Sequence, residues 1–91
     1  MSNYAIIDNY SGFVWGVQEA TSPIEACRIL DEDIGGESRT YTNGFDFSDG
    51  YIVYEAPADF DVEDGQDDDE IERVQSLTEV ARIGWIKSDL M

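Results

Sequence analysis

Ser22-Pro23-Ile24-Glu25-Ala26-Cys27-Arg28-Ile29-Leu30-Asp31-Glu32-Asp33-Ile34-Gly35-Gly36 is the clearest folding instruction in the chain. Ser22 is a good N-cap, because its hydroxyl accepts from a backbone N–H that the first helical turn leaves unpaired. Pro23 stands at the first helical position, where a missing N–H costs nothing. Glu25 completes a Ser-x-x-Glu capping box. Ile24, Cys27, Leu30 and Ile34 recur at helical spacing with Ala26 beside them. Gly35-Gly36 is a stop signal. The spacing predicts a helix over residues 23–34.

Upstream of this helix lie two β-type runs. Tyr4 to Asp8 is one, and Phe13 to Glu19 is the other, with Phe13, Trp15 and Val17 on one face at period two. Asn9 to Gly12 forms the turn between them, so the pair reads as a hairpin. Downstream, residues 39–47 are β-type around Asn43-Gly44, which fits either a hairpin or an irregular strand with a bulge. Ser48-Asp49-Gly50 is a turn, and Tyr51 to Glu55 is a strand ended by Ala56-Pro57. Residues 59–66 have no periodicity and read as loop. Residues 67–77 read as a short helix, its N-terminal acids suiting the helix dipole and Ile71, Val74 and Leu77 turned to the core. Val80 to Lys87 closes the chain as a strand with Trp85 inward. The order β-β-α-β-β-α-β predicts a single α+β domain over residues 1–91. Its antiparallel sheet has four to five strands, with two helices on one face.

The chain has 91 residues and a net charge of −16, with five basic residues against twenty-one acids. A domain of this size buries roughly 60–65% of the surface of its unfolded chain. Eleven aromatic residues and 42% apolar content are enough for one modest core. The acid excess repels nucleic acid and anionic membranes, so neither is expected as a direct partner. Met1 to Tyr4 carries no basic n-region, and no apolar run approaches the ~20 residues of a membrane span. These features predict a soluble cytoplasmic protein. The lone Cys27 forms no disulfide within the chain.

Histidine is absent, which removes Ser-His and Cys-His catalysis. Cys27 falls on the apolar stripe and reads as a small buried hydrophobe. Asp31 to Gly36 has a glycine at the sixth place of an EF-hand pattern but lacks the fifth and twelfth ligands. Residues 61–65 place their glycine wrongly. No cofactor and no specific metal site is predicted, and the chain reads as a non-enzyme.

Charge distribution is what remains. Nine of the fourteen residues from 59 to 72 are carboxylates: Asp59, Asp61, Glu63, Asp64, Asp67, Asp68, Asp69, Glu70 and Glu72. Asp31, Glu32 and Asp33 form a second cluster. A solvated surface, or adaptation to high salt, accounts for acidity in general, but it would spread the charge over every exposed face. Two unit charges at ~7 Å in bulk water repel by ~0.6 kcal/mol, so clustering costs more than dispersal. Duplex DNA carries one negative charge per ~1.7 Å of axis, and a rigid carboxylate surface would fit a groove built for phosphates. Tyr10, Tyr41 and Phe60 are candidate apolar anchors beside it.

In size, acidity and lack of an active-site pattern the chain resembles small phage- and mobile-element-encoded inhibitors of bacterial defence, anti-CRISPR proteins above all. Several of those act as DNA mimics on the basic channel of a CRISPR effector complex. Anti-restriction proteins and DNA-glycosylase inhibitors have the same profile. The resemblance implies an inhibitor in a bacterial cytoplasm. Its partner would be a basic nucleic-acid-binding protein or complex such as a CRISPR effector. A small acidic adaptor, binding through a sheet edge or aromatic face, is the alternative.

Overall fold

The computed structural model describes residues 2–9, 11–33, 39–43 and 50–87. Two strands open the chain, β1 (Ser2–Asp8) and β2 (Val14–Ala20), followed by helix α1 (Pro23–Asp33). Strands β3 (Arg39–Asn43) and β4 (Gly50–Ala56), helix α2 (Asp68–Gln75) and strand β5 (Thr78–Lys87) complete it. All strand pairs are antiparallel, in the order β2-β1-β4-β5-β3. The α+β class and the element order agree with the sequence pattern. Ile34, Gly35-Gly36, Tyr10 and the turn residues 44–49 lie outside the described residues, as does the side chain of Trp85.

Local signals act as expected at the hairpin and the first helix. Asp8 N–H donates to the Phe13 carbonyl at 2.9 Å and Gly12 N–H to the Asp8 carbonyl at 2.8 Å. Gly12 closes this turn at φ 77°, where a side chain would be strained. The Ser22 hydroxyl accepts from Glu25 N–H at 3.2 Å, forming half of the capping box. Glu25 turns its own carboxylate to Arg28 instead.

Three features correct or extend the reading of the sequence. First, the helices cover opposite faces of the sheet. Tyr4, Ile6, Tyr51, Val53 and Ile83 pack with Ala26, Cys27 and Leu30 of α1. Ala5, Ile7, Val14, Tyr54 and Ala56 pack with Val74 of α2, joined by Ile71, Leu77, Phe60 and Val62. Strands β1 and β4 are apolar at both odd and even positions, so each needs cover on both sides. Second, β3 does not neighbour β4. Strand β5 lies between them, pairing with β4 on one side and β3 on the other. Third, the strand phase of β2 is reversed at its start. Ile6 faces Gly16 while Ile7 faces Val14, so Trp15 is the extra residue of a β-bulge. Val14 is buried, whereas Phe13 and Trp15 are 43% and 40% exposed.

Candidate protein-interaction surface

The segment between β4 and α2 is tied down although it has no regular structure. Phe60 N–H donates to the Pro57 carbonyl at 3.0 Å, and Asp67 N–H to the Asp64 carbonyl at 3.1 Å. Phe60 and Val62 pack into the α2-side core. The Arg73 guanidinium lies 4.8 Å from the centre of the Phe60 ring and donates to the Asp61 carbonyl at 3.3 Å. At the sheet edge, Val14 N–H donates to the Gly65 carbonyl at 2.9 Å. The approach is so close that a Cβ at position 65 would stand 1.9 Å from the Val14 carbonyl oxygen. The loop thereby covers part of the open edge of β2.

On this base the nine carboxylates divide by task. Asp61 and Asp64 close local turns, their Oδ1 atoms accepting from Val62 and Gln66 N–H, each at 2.9 Å. Asp67 caps α2, accepting from Asp69 N–H at 2.8 Å. Glu70 is half-buried and pairs with Arg73. Asp59, Glu63, Asp68, Asp69 and Glu72 are exposed, with no side-chain partner among the described residues. Asp68 and Asp69 sit in the first turn of α2, where the helix dipole stabilises them. Asp68 and Glu72 are four residues apart and so share one exposed side of the helix. Arg73 is the single basic residue between positions 59 and 73, so this surface keeps most of its charge.

The second cluster does not form a surface patch. Asp31 is 3% exposed and lies under β3 and β4, where it accepts from the Tyr51 hydroxyl at 2.7 Å and from the Tyr41 hydroxyl. Its position one turn after Cys27, on the buried side of α1, explains why it points inward. Glu32 is bound by Arg28 at 2.6 Å, and only Asp33 is exposed without such a tie. Cys27 is fully buried, and burial, with the nearby Asp31 charge second, pushes its thiol up to about 12. A thiol so placed is not a nucleophile at neutral pH.

The expected aromatic anchors also change. Tyr41 is turned onto Asp31, and Phe60 packs beneath Arg73. Among the described residues the exposed rings are Phe13 and Trp15, which the period-two pattern placed on one face with Val17. They border an open notch of about 290 Å³, lined by Ser11 and Phe13 from the hairpin turn, Val14 and Trp15 from β2, and Asp64, Gly65 and Gln66 from the loop. The aromatic notch and the acidic loop are therefore continuous.

Among the described residues no three His, Cys, Asp or Glu side chains gather in a way that would hold a metal ion. Among the described residues no helix is long and apolar enough to cross a membrane. No protein-family model, curated protein or solved structure matches the chain.

Proposed function

We propose that the protein is a non-enzymatic inhibitor acting as a DNA mimic, which covers a Lys/Arg-rich nucleic-acid-binding site of a bacterial defence complex such as a CRISPR effector. One observation carries this reading. Asp59, Glu63, Asp68, Asp69 and Glu72 stand exposed, with no side-chain partner among the described residues, on a loop and helix that are anchored to the sheet. A mimic needs charge at fixed spacing, and anchoring removes much of the ordering cost that a free acidic tail would incur on binding. Neighbours three or four apart on a helix have Cβ atoms ~5–6 Å from each other. Asp68, Asp69 and Glu72 thus offer several charges within about one turn. Association of this type is fast and salt-sensitive.

The test is competition. Fluorescent duplex DNA bound to a CRISPR effector complex is titrated with the protein at low and high salt, alongside the variant Asp68→Asn, Asp69→Asn, Glu72→Gln. These changes remove charge while keeping side-chain shape and leave the Asp67 cap intact. The expected result is displacement of DNA at low salt, weakened at high salt and strongly reduced in the variant. Equal displacement by the variant would reject this surface.

A second reading has its own support. Phe13 and Trp15 are exposed at the start of the edge strand β2, as an adaptor binding through an aromatic face requires. Binding dominated by that face would be insensitive to salt and would not compete with DNA.

A further inference from the structure

We infer that the notch between Phe13, Trp15 and Asp64 receives one arginine side chain of the partner, an inference that rests on the acidic-platform reading above and names its anchor point. The notch, at about 290 Å³, lies at the small end of ligand sites, which run from ~300 Å³ upward, and so has room for a single side chain. Its main wall is set before binding. The Trp15 indole donates from Nε1 to Asp8 Oδ2 at 2.9 Å. The same ring meets Tyr51 edge-on, with centroids 6.2 Å apart and planes at 72°. A ring held by a hydrogen bond and an aromatic contact has little rotamer freedom left to lose. Phe13 and Trp15 are also two of the three large hydrophobic side chains exposed among the described residues.

Charge selects the occupant. Asp64 lines the notch, and Asp61, Glu63 and Asp67 flank it in the chain. Gln66 N–H engages one oxygen of Asp64, so the carboxylate stays fixed at the rim. An anion is repelled here, and so is a second copy carrying −16. Among cations, a guanidinium fits best. It is planar, weakly hydrated, stacks on an aromatic face and forks onto a carboxylate, whereas an ammonium is a strongly hydrated point charge. The protein already uses this pairing internally, with Arg73 laid over Phe60 and bound to the Glu70 carboxylate.

The experiment is an NMR titration of the full chain with N-acetyl-arginine amide and, separately, N-acetyl-lysine amide. Capped arginine is expected to shift the Trp15 indole N–H and the Phe13 amide saturably. Capped lysine should bind at least about 2-fold more weakly, because its strongly hydrated ammonium neither stacks flat on the ring nor forks onto the Asp64 carboxylate. Asp64→Asn keeps the turn to Gln66 but loses the charge, and should weaken arginine by about 2- to 5-fold, as for an exposed ion pair. Equal binding of the two amides overturns the assignment of arginine. Shifts confined to residues 59–72, with Trp15 unmoved, overturn the notch. Phe13→Ala removes a half-exposed ring outside both core clusters, so it tests the notch without risking the fold. If Phe13→Ala displaces DNA as well as wild type, the notch fails and the mimic stands. If arginine binds the notch while the Asp68, Asp69, Glu72 variant still competes fully with DNA, the mimic fails and the notch stands.

Discussion

Replacing Gly65 by alanine tests whether the acidic loop is a fixed platform. Gly65 has no positive φ, so its backbone suits any residue. On backbone grounds alone, Gly65→Ala should stabilise the protein by ~0.4–1 kcal/mol through the unfolded chain. Tertiary packing predicts the opposite sign. The new methyl would stand 1.9 Å from the Val14 carbonyl oxygen, a backbone atom that cannot swing aside. Relief requires the loop to lift from β2, which breaks the 2.9 Å bond from Val14 N–H to the Gly65 carbonyl. Loss of that bond costs ~0.5–1.5 kcal/mol, and the crowding ~1–3 kcal/mol. Net of the entropic gain, Gly65→Ala should destabilise by about 2 kcal/mol. Urea denaturation measures the stability, and amide hydrogen exchange at Val14 reports the loop directly. Val14 N–H should be protected in wild type and open in the variant, with a parallel loss of DNA competition. A variant more stable than wild type, with Val14 still protected, would refute the claim that this contact holds the acidic segment.

Three further outcomes are expected. Asp31→Ala removes the acceptor shared by the Tyr41 and Tyr51 hydroxyls and should cost about 3 kcal/mol, at ~1.5–3 kcal/mol per hydrogen bond to a charged group and less for half-exposed Tyr41. In a double-mutant cycle with Tyr51→Phe the two changes should couple by more than ~1 kcal/mol, and additive effects would contradict the contact. The Cys27 thiol is raised from its ordinary 9.0 to about 12, so the unfolded chain loses this proton first. Its contribution to stability is intact below pH 9 and declines between about 9 and 12 by ~1.4 kcal/mol per unit. Cys27→Ala should flatten that part of the alkaline slope in urea midpoints measured at several pH values, and identical slopes would disprove it. Ser22→Ala should lower stability by ~1 kcal/mol through loss of the α1 cap, read from the same urea curves.

Short-range physics was written plainly in the chain. Ser22, Pro23 and Asp67 mark helix starts because a cap needs only residues two or three apart, and the Asn9 to Gly12 turn closes on its own strands. The density of carboxylates from 59 to 72 is likewise a property of composition, and so is the absence of histidine chemistry. Two signals for the corrected features were present in the residues. Asp31 lies on the Cys27 side of its helix, and the Tyr4-Ala5-Ile6-Ile7 run is apolar on both parities, which calls for cover on both faces.

The remaining features depend on pairings between distant segments. Only the assembled sheet decides that β5 separates β3 from β4, and that a bulge at Trp15 turns Val14 inward and leaves two rings in solvent. The contact of Gly65 with Val14, fifty-one positions away in sequence, sets the aromatic notch against the acidic loop. Local spacing encodes helices and turns because their bonds close within one turn of chain. It leaves open which strand edge and which sheet face each element meets, since several arrangements bury similar apolar area and only complete packing separates them.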